Sequence, residues 1–131
     1  MAKKALRTCP CGSGKSFDAC CGRFIVKGDL PATAEELMRS RYAAFALGDL
    51  NWIRLTWAHE KCPEDVSCDK DIKWIDLKVL GSHVIDEVHA TVEFIARGRK
   101  GATGAFRMHA VSRFEKRDAR WFYVDDEPEK S

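Results

Sequence analysis

Cys9, Cys11, Cys20 and Cys21 fall within thirteen residues, in the run Cys9-Pro-Cys11-Gly-Ser-Gly-Lys-Ser-Phe-Asp-Ala-Cys20-Cys21. One residue separates the first pair, the second pair is adjacent, and a glycine-bearing loop joins them. Four thiolates that a short loop can bring to one point are a ligand set for Zn²⁺, which in structural sites takes four sulfur or nitrogen donors at about 2.3 Å for sulfur. Gly12 and Gly14 suit the tight turn, because glycine enters left-handed conformations at little steric cost. A four-cysteine site leaves no coordination position for water, which makes it structural and not catalytic.

Three other readings of the run are weaker. Adjacent Cys20 and Cys21 do not readily form a disulfide with each other, and nothing in the chain points to an oxidising compartment. Gly14-Lys15-Ser16 mimics the end of a phosphate-binding loop, but Cys9 stands where the first glycine belongs and no apolar strand leads in. Reactive thiols would be favoured by Lys15 and Arg23, yet the same cations favour thiolate ligation.

The segment from Cys9 to Gly22 resembles the SEC-C motif, a zinc knuckle found at the end of the preprotein translocase ATPase and in many other bacterial proteins. The last ligand of that motif is often histidine; here it is Cys21. The chain as a whole is similar to the YchJ family (UPF0225), through Ser40-Arg41-Tyr42-Ala43-Ala44-Phe45, Ser112-Arg113-Phe114 and Trp121-Phe122-Tyr123-Val124-Asp125. The resemblance implies a knuckle over residues 1–27 and an NTF2-like domain over 28–131, with the sheet curved around a long helix into a cone. It also implies contact with a protein partner, an export chaperone or the ribosome, for which Lys15, Phe17 and Arg23 are the candidate residues. Charge balance and knuckle packing explain those three side chains equally well.

Composition bounds the rest. With 131 residues, 45% of them hydrophobic, the chain suffices for one compact domain and a short appendage. A net charge of +2 gives no global case for nucleic acid. The basic turn Arg97, Arg99 and Lys100 lacks the interleaved aromatics of a base-reading surface, so nucleic acid is only weakly suggested. Lys3, Lys4, Arg7, Lys15 and Arg23 face only Asp18 at the start of the chain, and a zinc tetrathiolate would offset part of that excess. No leader-like or membrane-spanning apolar run stands out, so the expected location is the cytoplasm, where Cys62 and Cys68 read as free thiols.

The elements that must position these residues follow from periodicity. Thr33 and Glu36 form a capping box opening a helix whose apolar face carries Leu37, Met38, Tyr42, Ala44 and Phe45, and Gly48 ends it. Asp49 caps a second short helix bearing Leu50, Ile53 and Trp57. A strand follows at Lys73 to Leu80. Alternation from Val84 to Phe94 and from Phe106 to Phe114 then predicts a hairpin about Arg97 to Thr103. Its expected register sets Phe94 against Phe106, Val92 against Met108, Ala90 against Ala110, Glu93 against Arg107 and Glu87 against Arg113.

A turn near Asp118 leads to a last strand at Arg120 to Val124, whose consecutive aromatics leave its inward face undecided. The fold class is α+β, helices on an antiparallel sheet. Inside a cone the candidate cavity residues are Tyr42, Trp57, Ser112 and Tyr123, with His59 and Asp76 as lesser candidates. Tyr42 and Trp57 read most simply as core aromatics, with pocket lining as their alternative role. His89, Glu93, Arg107 and His109 are expected outside. No nucleophile and base pair emerges, so binding is expected over catalysis, with no catalytic residue nominated.

Overall fold

The computed structural model describes residues 8–127. Lys3, Lys4 and Arg7 therefore lie outside the described residues. A cysteine-bearing loop leads into a single helical turn, α1 (Gly22–Ile25), then α2 (Ala34–Leu47) and α3 (Leu50–Leu55). Four strands follow: β1 (Ile72–Val84), β2 (His89–Lys100), β3 (Gly104–Arg117) and β4 (Arg120–Asp126). They pair in chain order as one antiparallel sheet, β1-β2-β3-β4, an α+β architecture with helices on one face.

The helix boundaries have local causes. Thr33 accepts the Glu36 N–H at 3.1 Å, while Glu36 turns back to accept the Ala32 N–H at 2.8 Å, so two otherwise orphaned donors are satisfied at the start of α2. Gly48 ends it at φ 77°, a left-handed cap, and Asp49 starts α3 by accepting the Trp52 N–H. Trp57 lies beyond α3. It forms a parallel bridge with Tyr123, flanked by Ala58 N–H to Tyr123 O (2.7 Å) and Tyr123 N–H to Thr56 O (2.8 Å), which ties the segment after α3 to β4.

Trp52, and not Trp57, is the buried tryptophan of α3. Its indole donates to Ser40 Oγ at 2.8 Å, and Ser40 donates onward to Leu37 O at 2.7 Å. This hydroxyl lets a polar indole edge enter the core without an unsatisfied donor.

The hairpin differs from expectation in register but not in face. Phe94 lies opposite Ala110, Val92 opposite Ser112 and Ala90 opposite Phe114, a displacement of four residues from the expected pairing. An even displacement leaves the side chains from Ala90 to Phe94 and from Phe106 to Phe114 on their expected side, whereas Val84 and Val88, expected on the core face, precede β2 and are 78% and 39% exposed. The expected loop placed Gly98 outside the strands, whereas β2 continues to Lys100 and turns over Gly101–Thr103. Gly98 belongs to the strand because Lys73 O and the Phe106 ring close over it, 2.8 and 3.0 Å from where a Cβ would stand.

The expected charge pairs change accordingly. Arg107 faces Arg97 across the strands, while Glu93 accepts from His109 Nε2 at 2.7 Å. Arg113 pairs with Asp125 on β4 instead of Glu87. Val84 closes β1 and is exposed, and the chain turns at 85–88, where Asp86 accepts the Val88 N–H at 2.9 Å. No helix among the described residues is long and apolar enough to cross a membrane.

Candidate metal centre and adjoining cavity

The loop before α1 converges its four cysteines. All four are buried, and their sulfur atoms lie within 4.8 Å of one another. Zinc held about 2.3 Å from four sulfurs needs sulfur separations of about 3.8 Å, and Cys11–Cys20 and Cys20–Cys21 stand at 3.6 and 4.0 Å. Every cysteine is a free thiol.

The backbone that produces this convergence is a series of turns. Cys9 N–H donates to Lys15 O at 2.8 Å, Gly12 N–H to Cys9 O at 3.2 Å, and Gly12 sits at φ 82°. Cys11 is pushed far below an ordinary thiol by hydrogen bonds from Cys21 and Cys9. The same contacts push Cys21 up, and Cys9 up to about 11, each chiefly through Cys11. So compact a set of thiols favours one anion, and four thiolates require a multivalent cation between them. The donor set, spacing and burial fit zinc.

The knuckle is joined to the rest of the chain through one continuous core. Cys9, Cys11, Cys20 and Cys21 pack in the same cluster as Phe17, Phe24, Leu37 and Leu77. Arg39 on α2 donates to Cys11 O at 3.0 Å, lies 4.0 Å from Cys11 Sγ and pairs with Glu35. A Cβ on Gly12 would stand 3.0 Å from Leu77 O on β1.

Of the residues considered for partner contact, Lys15 is exposed at the loop. Phe17 is not: it is 5% exposed and belongs to the core, a correction to its expected place on the surface. Its burial follows from the need of so small a loop for an apolar anchor. Arg23 is half-buried, donating to Cys20 O at 2.8 Å and lying over the Phe24 ring. Cys62 and Cys68 stand apart from the cluster of four.

Between α2 and the sheet lies a cavity of about 290 Å³. Tyr42, Trp57, Ser112 and Tyr123 all line it, together with Phe45, Trp74, Phe94, Phe114 and other apolar side chains. Asp76 is not among the lining residues; it pairs with Arg97. His59 is exposed, as are His89, Arg107 and His109, while Glu93 is half-buried. Tyr123 settles the orientation of β4, packing edge-on against Trp57 and Phe114. Trp121 is buried as well, and its indole donates to Ala32 O at 3.3 Å.

Two charged cavity residues were not among the sequence-derived candidates. Asp126, at the exposed end of β4, accepts from Ser112 Oγ at 2.8 Å and from Tyr123 OH at 2.9 Å. Burial, then the Asp126 charge, pushes the Tyr123 phenol well up. Arg41 is only 6% exposed; its Nη1 donates to Ile53 O (2.9 Å) and Thr56 Oγ1 (2.8 Å), and its guanidinium lies over the Tyr123 and Trp57 rings. The signal for Arg41 was present in the sequence as a charged residue at the i+4 position between Leu37 and Phe45, on the apolar stripe of α2.

Comparison with known proteins places both parts of this structure. The model described as "YchJ, middle NTF2-like domain" matches residues 33–126, and that of the SEC-C motif matches residues 8–23. A UPF0225 protein of Cupriavidus metallidurans is 49% identical, with 89% of this chain and 86% of the relative covered. One from Chromobacterium violaceum is 44% identical, with 93% of each covered. The solution structure of a SEC-C motif containing protein from Rhodopseudomonas palustris superposes with a TM-score of 0.84 at 38% identity, over 94% of this chain and 99% of that one. The crystal structure of another, from Psychrobacter arcticus, gives 0.78 at 25% identity, over 96% and 85%. From its cysteine knuckle to the last strand of its sheet, the chain belongs to the YchJ-like, UPF0225 family.

Proposed function

We propose that this chain is a cytoplasmic zinc-binding interaction protein, with one Zn²⁺ held by Cys9, Cys11, Cys20 and Cys21 and the knuckle surface docking on a protein partner. The observation that carries this reading is the closed set of four buried sulfurs beneath an exposed rim. A tetrathiolate site shapes a surface and offers no reactive position. Lys15 projects from that rim, and Val26 and Leu30, just beyond α1, are 70% and 51% exposed. By analogy with the SEC-C motif the partner is an export chaperone or a ribosomal component. Phe17 and Arg23 act in this reading as supports for the rim. The test is affinity capture with Lys15→Glu combined with Val26→Ser, zinc content being checked first. Loss of one defined chaperone or ribosomal partner supports the reading; capture identical to that of the unaltered chain overturns it.

The cavity favours a second reading, in which the NTF2-like part holds a small molecule. Its aromatic lining and few convergent polar groups are those of a ligand site. Binding of a small apolar compound, lost on substitution of Met108→Trp in the lining, tests this reading separately from the first.

A further inference from the structure

The cavity's polar groups differ in what they have left to offer. Ser112 and Tyr123 direct their hydroxyl hydrogens to Asp126, whose Oδ1 accepts both. Arg41 uses only Nη1 within the protein; Nε and Nη2 have no acceptor among the described residues. The indole N–H of Trp57, which lines the same cavity, is buried and also lacks a partner. The unused capacity is therefore for donation, and it is concentrated on a cation.

Arg41 has no ion-pair partner among the described residues, even though Asp126 lines the same cavity. Burial lowers its pKa to about 10, which leaves it charged at neutral pH. A buried guanidinium held by two neutral acceptors and two aromatic faces is costly to desolvate unless something compensates it. Nε and Nη2 form the edge of the fork that meets a carboxylate with two parallel hydrogen bonds.

Resting on the reading of the cavity as a small-molecule site, we propose that its ligand is a small apolar monocarboxylate, its carboxylate on the Nε–Nη2 edge of Arg41 and its body among Trp57, Trp74 and Phe94. One cation in an apolar lining matches a monoanion. A dianionic phosphate would leave a charge uncompensated in the same surroundings. A cavity of about 290 Å³ is at the small end for ligand sites and suits a body of one or two rings or a short chain. Exposed Met108 and Asp126 stand at its mouth. With Asp126 already taking two hydroxyls, the ligand's charged end belongs at Arg41, away from that rim carboxylate.

The experiment uses the full, zinc-loaded chain and two matched probe pairs, 2-naphthoate with 2-naphthamide and octanoate with octanamide. Calorimetry at pH 7 and emission from the cavity tryptophans report binding. The expected result is that each acid binds at least about tenfold more tightly than its amide, the size of a charge-assisted hydrogen-bond pair. Arg41→Gln should erase that preference, and Met108→Trp should weaken acids and amides together. Should Arg41→Gln fail to fold, the acid-to-amide ratio of the unaltered chain decides. Equal binding of acid and amide, or a preference that survives in folded Arg41→Gln, overturns the carboxylate assignment while leaving the cavity reading intact. Binding of none of the four probes overturns both.

Discussion

Gly22 lies directly beneath Phe17: its N–H donates to Phe17 O at 2.7 Å, and a Cβ at this position would stand 2.7 Å from that oxygen and 3.1 Å from the ring. The contact closes the cysteine loop onto α1, one residue after Cys21. Alanine would ordinarily favour a helical turn over glycine by about 1 kcal/mol. Here the obstacle is a backbone oxygen that cannot rotate away, so the steric cost decides the sign. Gly22→Ala is expected to destabilise the chain by about 1–3 kcal/mol and to weaken zinc retention in a chelator competition. Unchanged melting and unchanged retention would show that the loop relaxes freely.

Zinc removal should be felt beyond the knuckle. Because the four cysteines share a core with Phe24, Leu37 and Leu77, and Arg39 of α2 bonds the Cys11 carbonyl, loss of the metal loosens the packing of α2 and β1. Metal-binding energy for so small a loop is folding energy. Chelation is expected to lower the melting temperature of the whole chain by about 10 °C or more, in one transition. Cys20→Ser should retain less than one zinc per chain. A sheet that melts at its original temperature after chelation would contradict the shared core.

Much of this architecture was legible in the sequence, for identifiable reasons. Thr33, Gly48 and Asp49 announce α2 and α3 because caps are local chemistry, and alternation marks the strand faces because side chains alternate strictly. The cysteines declare themselves through ligand spacing. Register was not legible: Gly98 looks like a turn residue until Phe106 and Lys73 O are seen closing over it. Phe17 looks exposed in a loop of glycine and serine until Gly22 is seen to make room for it. Arg41 shows itself on the apolar stripe of α2, but that it shares a cavity with Asp126 was not legible, because the two come to line one space only when β4 pairs along β3 and Tyr123 bridges to the segment after α3.

The β3–β4 turn is strained in a way that substitution can relieve. Arg117 pairs with Arg120, leaving a two-residue loop in which Asp118 (φ 51°) and Ala119 (φ 67°) both adopt left-handed conformations. Such a turn matches the twist of a hairpin, but a Cβ resists it, more for alanine than for aspartate or asparagine. Ala119→Gly is expected to stabilise the chain by about 1 kcal/mol, read as a higher urea midpoint with an unchanged m-value. Ala119→Val should move the midpoint the other way. Destabilisation by the glycine would mean that its entropy in the unfolded chain outweighs the strain.

Acid sensitivity should centre on the bridge from Arg117 to Glu60 and Glu115, which fastens the segment after α3 to β3. Arg117 Nη1 donates to Glu60 at 2.9 Å, and Nε donates to Glu115 at 2.9 Å. The Arg117 hydrogen bonds pull the Glu60 carboxyl down from 4.5 to about 2. Its folded pKa thus lies below its unfolded one, so the unfolded chain takes up more protons in that interval and stability rises with pH across it. The contribution is fully present above about pH 5 and is lost as the pH falls through about 2. Asp76, Asp86 and Asp125 are lowered in the same direction, by Arg97, the Val88 amide and Arg113 respectively, and add to the slope. Urea midpoints of the unaltered chain and of Glu60→Gln should therefore differ most at neutral pH and converge near pH 2. Because these groups are exposed, added salt should narrow the gap at neutral pH. A gap that stays constant from pH 6 to pH 2 would mean that Glu60 stabilises the chain by packing and not by its charge.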